Sequence, residues 1–143
     1  MKYMGSKNRI AKHLLPIMLK EAEKNNITKW VEPFAGGANM IDKVPDNFER
    51  VGYDLNDHVI HALIDIRDNA NGLPESVSEE EYKIYKGRPP ESITSWVRIA
   101  CAYGGIFESK LAADKTGLRN YAQEAKRNAL KQSPKIQSVQ FIC

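Results

Sequence analysis

Apolar residues recur at two spacings along the chain, and each spacing predicts a different kind of element. Ile10, Leu14 and Met18 lie four positions apart, which predicts a helix over residues 6–24. Pro16 falls inside this pattern. We therefore expect a break just before it and a second helix that starts at the proline, where the missing N–H is tolerated.

The rest of the pattern alternates between strands and helices. Short apolar runs predict strands over residues 29–33, 50–54 and 138–143. Helical spacing and cap residues predict helices over residues 38–43, 58–66, 78–85, 93–103 and 120–132. The order is a helix, a βαβα unit, a helical region and a final strand, which predicts an α/β fold with an insertion.

The composition is that of an ordinary globular domain. The 143 residues are 42% hydrophobic and 27% charged, enough for one domain with a core of its own. No stretch has the length and apolarity of a membrane span, and the first residues lack the apolar run of a signal peptide. Cys101 and Cys143 lie far apart, so the sequence predicts a reduced, cytoplasmic setting and no metal site.

The net charge of +3 conceals a segregation along the chain. Residues 1–30 carry seven basic and two acidic side chains, and residues 101–143 carry seven basic and three acidic ones. Residues 31–100 carry seven basic and thirteen acidic side chains. Basic flanks around an acidic middle are typical of a surface for a polyanion, and equally of ordinary solvated helix faces.

A glycine turn after the first predicted strand is the first candidate for chemistry. Gly36 and Gly37 allow the backbone to approach a ligand, and a helix starting near Ala38 would point its free amides at it. The P-loop lysine and the three-glycine dinucleotide fingerprint are both absent. The turn therefore suits a cofactor without a pyrophosphate, such as S-adenosylmethionine, or is a tight structural turn.

Asp54, at the end of the second predicted strand, is the second candidate. It follows Gly36 by 18 residues, close to the roughly 20-residue spacing that places a carboxylate on ribose hydroxyls. Alternatively, Asp54 lies in a turn before a helix capped by Asn56 or Asp57. The glycine turn at this spacing favours the ribose role. Near the N-terminus, a lysine can neutralise a carboxylate and a tyrosine can pack on a sulfonium.

Three segments resemble the cofactor motifs of the Dam-like DNA adenine methyltransferases. They are residues 3–7 (YMGSK), 31–37 (VEPFAGG) and 53–56 (YDLN), and the likeness continues through residues 102–107 and 119–122. The resemblance implies a Rossmann-like S-adenosylmethionine-dependent methyltransferase fold with an incomplete parallel sheet and a helical insertion. It also implies methyl transfer from S-adenosylmethionine to the exocyclic amino group of adenine in duplex DNA.

The resemblance also implies roles for individual residues. It assigns the cofactor site to Tyr3, Lys7, Glu32, Pro33, Phe34, Ala35, Gly36, Gly37, Asp54 and Leu55. Tyr3 and Lys7 would border the methionine end, Asp54 would hold the ribose, and Leu55 would pack near the adenine. The candidate phosphate contacts to DNA are Lys110, Lys115, Arg119, Lys126 and Arg127.

The same resemblance divides the chain into three parts. Residues 1–73 would form the cofactor-binding βαβ core with its N-terminal helix. Residues 74–134 would form a helical DNA-recognition insertion, and residues 135–143 a strand that returns to the sheet. An incomplete sheet exposes an apolar edge, so homo-association is also expected.

The chain departs from the family in one motif. These enzymes hold the flipped adenine with Asp-Pro-Pro-Tyr, and this tetrapeptide does not occur in the 143 residues. We therefore expect an N-terminal portion with no catalytic residue and no turnover by itself. Two alternatives remain: a non-catalytic module that binds cofactor or DNA, and another Rossmann enzyme such as an oxidoreductase.

Other residues point to packing rather than chemistry. His58 and His61 lie three positions apart on a predicted helix, where packing or solvated histidines are more common than a metal site. Cys101 lies in an apolar run, and Trp96 lies in the same predicted helix. We expect both in the core.

Overall fold

The computed structural model describes residues 1–114 and 116–143. In these residues the helices are α1 (Asn8–Lys24), α2 (Asp57–Asn69), α3 (Glu79–Lys86), α4 (Thr94–Ala100) and α5 (Tyr121–Gln132). The strands are β1 (Lys29–Glu32), β2 (Glu49–Tyr53) and β3 (Val139–Ile142). Short 3-10 turns lie at Ile41–Lys43, Ala70–Gly72, Tyr103–Gly105 and Ser133–Lys135. The mixed α/β class predicted from the sequence is confirmed.

The three strands form a parallel sheet with β2 in the middle. Val31 of β1 lies opposite Val51 of β2, and Val51 lies opposite Gln140 of β3. Because all three strands run in the same direction, their carboxyl ends meet at one edge of the sheet. The chain segments that follow Glu32 and Tyr53 therefore start side by side.

The centre of the core lies where α2 packs against α4. Leu63 and Ile66 of α2 and Trp96 and Ile99 of α4 have no exposed surface. Burying side chains of this size stabilises the fold by roughly 1.5–3 kcal/mol each. The prediction that Trp96 lies in the core is confirmed, and so is that for Cys101.

The predicted break at Pro16 is wrong. Helix α1 continues from Asn8 to Lys24 with the proline inside it. Proline cannot donate a hydrogen bond to the carbonyl of Lys12, but both residues are exposed, so water can satisfy that carbonyl. Leu15 and Ala22 hold the helix on the core on both sides of the proline.

The helix predicted over residues 38–43 is also wrong. Ala38 has a φ of +54°, which is outside the helical region, and only the 3-10 turn Ile41–Lys43 forms before Pro45. The N–H of Ile41 donates to the Glu32 carboxylate at 3.1 Å instead of lying in a helix. The glycine turn is therefore followed by a loop and a 3-10 turn rather than by the predicted helix.

The other helices follow the predictions with shifted ends. Ser78 and Glu81 form the predicted capping box, with bonds of 3.1 and 2.7 Å. Asn120 caps α5 as predicted by accepting the N–H of Gln123 at 3.0 Å. The helix predicted over residues 93–103 is shorter, because Ile93 has a φ of +64° and the chain leaves the helix after Ala100.

Candidate functional site

The glycine turn and Asp54 meet at the carboxyl ends of β1 and β2. One carboxylate oxygen of Asp54 accepts the N–H of Gly36 at 2.9 Å, and the other accepts the N–H of Asn56 at 3.0 Å. The N–H of Ala35 donates to the carbonyl of Tyr53 at 2.7 Å. The two residues that stand 18 positions apart in the sequence are thus in direct contact.

A glutamine of α5 supports the other side of the turn. The Gln132 side chain is buried and donates to the carbonyls of Gly37 and Ala38 at 3.0 and 3.3 Å. A Cβ on Gly37 would lie 2.3 Å from the carbonyl oxygen of Met1, so no other residue fits there. Gln132 could not be singled out from the sequence, because these partners lie more than 90 residues away and nothing local marks it.

An open pocket lies over the glycine turn, and we call it the turn pocket. It has a volume of about 160 Å³. Its lining residues are Tyr3, Met4, Gly5, Ser6, Lys7, Glu32, Phe34, Ala35, Gly36, Gly37, Asn39 and Asp54. Eight of the ten predicted cofactor residues lie in this lining; Pro33 and Leu55 do not. The structure therefore brings most of the predicted set together, and their role stays a prediction.

A second cavity, which we call the outer pocket, adjoins the turn pocket at Asp54. It has a volume of about 480 Å³ and is open to solvent. Its lining residues are Asp54, Leu55, Asn56, Asp57, His58 and Pro90. Leu55 is 95% exposed at its edge, although leucine usually packs inside. Asp54 lines both pockets and is therefore accessible from each.

A carboxyl group and an ammonium group both line the turn pocket, from Glu32 and Lys7. Burial raises the pKa of Glu32 to about 7, while the Ile41 N–H and the charge of Lys7 act against this rise. Lys7 lines the same pocket and is exposed. A carboxyl group and an ammonium group at one site complement the two charges of an amino-acid zwitterion.

Tyr3 forms the wall of the turn pocket above Gly36. A Cβ on Gly36 would lie 3.1 Å from the Tyr3 ring, and the φ of Gly36 is +49°. Burial and the negative charge of Asp54 both raise the pKa of Tyr3, so the phenol stays neutral. The site thus places an aromatic ring next to a bare stretch of backbone.

Four of the five predicted DNA contacts lie in the described residues, and their surroundings differ. Arg119 makes two hydrogen bonds to the Glu124 carboxylate, at 2.9 and 2.7 Å, and Lys126 donates to Glu75 at 3.1 Å. Lys110 lies over the ring of Tyr103, 5.2 Å from its centroid. Arg127 is exposed, and Lys115 lies outside the described residues. As phosphate contacts, all five stay predictions.

His58 belongs to a buried polar cluster. Its Nδ1 lies 3.0 Å from Ser95 Oγ, and its Nε2 accepts from Arg98 at 2.7 Å. Burial and the neighbouring Arg98 charge lower the pKa of His58, so the ring is neutral and Nδ1 donates to the serine. This confirms a packing role for His58. Within residues 1–114 and 116–143 no cluster of three metal-ligating side chains forms.

The family model for the D12 class N6 adenine-specific DNA methyltransferases matches residues 3–90, which is more than half of the chain. No curated protein matches. The matched range contains every lining residue of the turn pocket and the outer pocket. Among the described helices, none has both the length and the apolarity to cross a membrane.

Proposed function

Because the chain belongs to the D12 class N6 adenine-specific DNA methyltransferases, we propose that it binds S-adenosylmethionine in the turn pocket and the outer pocket. The methyl group would go to the exocyclic amino group of adenine in duplex DNA. The observation that carries this proposal is the contact between Gly36 and Asp54, at 2.9 Å. It sets a bare backbone turn and an accessible carboxylate next to each other at the carboxyl end of a parallel sheet, where ligands bind in such folds.

The turn pocket fits the methionine end of the cofactor. Lys7 would pair with the ligand's carboxylate, and the ionised Glu32 with its ammonium group. The Tyr3 ring would attract the sulfonium by a cation–π interaction worth roughly 0.5–2 kcal/mol. The predicted cofactor residues Phe34, Ala35, Gly36 and Gly37 line the same pocket, which supports this assignment.

Asp54 fits the ribose. Each of its carboxylate oxygens already accepts one backbone N–H and has further acceptor capacity for one hydroxyl group. Because Asp54 lines both pockets, a ribose held there would direct the adenine into the outer pocket, beside Leu55. Pro33 would act indirectly, since it lines a neighbouring groove and not the turn pocket.

The residues of this chain bind and orient the cofactor in the proposed reaction. When bound, S-adenosylmethionine supplies a methyl group made electrophilic by the sulfonium. Transfer further needs a flipped adenine and acceptors for its amino protons. The Asp-Pro-Pro-Tyr motif implied by the resemblance is absent from the 143 residues, so we expect cofactor binding without turnover. That absence favours, as a second candidate, a non-catalytic cofactor- or DNA-binding module.

The proposed fold is a Rossmann-like methyltransferase fold. The parallel sheet and the pockets at its carboxyl end support it. Within it, residues 1–73 would form the cofactor-binding core, residues 74–134 a DNA-recognition insertion and residues 135–143 the returning strand. The proposed compartment is the cytoplasm, because the DNA substrate lies there in cells without a nucleus.

Homo-association through β1 is part of the proposal. In the described residues β1 pairs with β2 alone, so its other edge is free. Val31 and Phe34 are 48% and 75% exposed beside it, next to an apolar groove of about 300 Å³ that also includes Leu14 and Met18. Unpaired edges of this kind favour strand pairing between copies. Sedimentation velocity should show a dimer that dissociates on dilution; a strictly monomeric chain would contradict this.

Two assays test the proposed function. In calorimetric titrations the chain should bind S-adenosylmethionine and not NAD; binding of NAD alone would favour the oxidoreductase. In the second assay, labelled S-adenosylmethionine and duplex DNA are incubated with the chain. We expect no labelled adenine, and transfer above background would show that an acceptor site exists among these residues after all.

A further inference from the structure

A basic groove lies between the start of α1 and the end of α5. It has a volume of about 660 Å³. Its charged lining residues are Lys2, Arg9, Asp42, Lys43, Lys131 and Lys135. The single carboxylate among them is already paired, since Asp42 lies 2.7 Å from the ammonium group of Lys43. The remaining charge in the groove is therefore positive.

Four of these cations are available to a ligand. Lys2, Arg9, Lys131 and Lys135 are exposed. In residues 1–114 and 116–143, none of the four has a carboxylate within 4.0 Å. This distinguishes them from Arg119 and Lys126, whose charges are engaged by Glu124 and Glu75. Like charges in one groove repel each other, so an anion bound there would relieve an unfavourable interaction.

The groove also offers neutral hydrogen-bond donors. The amide side chains of Asn8 and Asn128 line it together with the cations. Amide and cationic side chains are the groups that contact phosphate oxygens in protein–DNA complexes. An open groove of about 660 Å³ also has room for more than a single phosphate group, as an extended anion requires.

The groove adjoins the turn pocket. Tyr3, Gly5, Ser6 and Asn39 line both. A chain of phosphates in the groove would therefore run past the place where the proposed cofactor binds. Only one short N-terminal segment separates the two sites. A base flipped out of that duplex must reach the methyl group, and this closeness would allow it.

We infer that the basic groove binds the phosphodiester backbone of duplex DNA. This inference rests on the proposed function, and it assigns the DNA surface to Lys2, Arg9, Lys131 and Lys135 rather than to the cations predicted from the sequence. Binding there requires neither the cofactor nor an adenine acceptor site. It depends on salt, because each contact releases counterions from the DNA.

The test measures binding of a short fluorescent duplex to the whole chain by anisotropy, between about 50 and 200 mM NaCl, without cofactor. The variant is Lys131→Ala with Lys135→Ala. Each lost contact should lower the slope of log K against log salt by about 0.9, so the double variant should lower it by about 1.8. At the lowest salt concentration we expect binding to weaken at least roughly tenfold.

The matched control is Lys20→Ala with Lys24→Ala. It removes the same charge from exposed positions of α1 that lie more than about 15 Å beyond Arg9 along the helix. Circular dichroism melts establish that both variants are folded. The inference holds if the control keeps the wild-type slope while the slope of the groove variant is lower by about 1.8. Equal slopes in the two variants, or no binding by the wild type at the lowest salt, overturn it.

Two further measurements are needed. One tests which ligand binds in the groove, and the other tests the proposed function independently of the groove. An A-form RNA duplex or inorganic phosphate that binds as tightly as the DNA would overturn the choice of duplex DNA. A calorimetric titration with S-adenosylmethionine is run on the same samples. DNA binding with the expected slopes but no cofactor binding would leave the groove standing and remove the proposed function; cofactor binding without DNA binding would do the reverse.

Discussion

Two aspartates of this chain have nearly the same hydrogen bonds and very different surroundings. Asp54 accepts the N–H groups of Gly36 and Asn56, at 2.9 and 3.0 Å. Asp65 accepts the hydroxyl of Ser92 at 2.7 Å and the N–H of Ile93 at 2.8 Å. Each thus connects one strand or helix to a distant turn.

The two aspartates differ in how accessible their carboxylates are to solvent and ligands. Asp65 is 4% exposed, and burial raises its pKa against the effect of both hydrogen bonds. Asp54 lies at the junction of the turn pocket and the outer pocket. A carboxylate that holds a turn has a structural role when it is sealed in, and becomes a candidate ligand when its remaining lone pairs face a cavity.

The largest expected effect is on stability, in Asp65→Ala. The N–H of Ile93 and the hydroxyl of Ser92 would lose their acceptor, and Ile93 would lose the contact that holds its φ at +64°. Losing two hydrogen bonds to a buried charge costs about 3 kcal/mol. Urea unfolding measures the loss. A variant as stable as wild type would contradict the structural role, and folded Asp65→Ala should keep its cofactor affinity.

Asp54→Ala should lose cofactor affinity and keep more of its stability, the reverse of Asp65→Ala. It removes the proposed ribose acceptor, so the affinity for S-adenosylmethionine should fall about 100-fold, from the loss of two charge-assisted hydrogen bonds. Its stability should fall less than that of Asp65→Ala, because Asp54 is accessible to water. Calorimetry and urea unfolding of the two variants side by side check this. An unchanged cofactor affinity in Asp54→Ala would remove the functional difference between the aspartates.

A third carboxyl group, that of Glu32, should make the affinity for the cofactor depend on pH. The pKa of Glu32 is about 7 in the pocket, and only its ionised form attracts the ligand's ammonium group. Raising the pH from about 6 to about 7.5 takes the ionised fraction from roughly a tenth to three quarters, so affinity should rise up to about eightfold. Glu32→Gln should bind weakly at both pH values. The same pH dependence in that variant would exclude Glu32 as its source.

The sequence predicted the elements whose signals are local. The capping box of Ser78 and Glu81 and the cap at Asn120 lie within three or four residues of the groups they satisfy. The pairing of Gly36 with Asp54 was also within reach, because parallel strands bring their carboxyl ends together.

What the sequence did not predict depends on distant contacts. The loop after Gly37 replaces the expected helix, and its carbonyls are held by Gln132, more than 90 residues away. Similarly, Lys126 is paired with Glu75, which is 51 residues away, so its engagement could not be predicted from its exposed helix face. In the case of Arg119 the partner Glu124 is only five residues away, and that signal was present.

The most direct test of cofactor binding at the glycine turn is a titration of the ¹⁵N-labelled chain with S-adenosylmethionine, followed by NMR. The backbone amides of Gly36 and Gly37 should shift in proportion to saturation, because the ligand is expected to lie against that turn. The amides of Ile93 and Thr94, in the sealed Asp65 network, should keep their positions. Saturable binding that shifts Ile93 and leaves Gly36 unchanged would contradict cofactor binding at the glycine turn, and so would the absence of any shift.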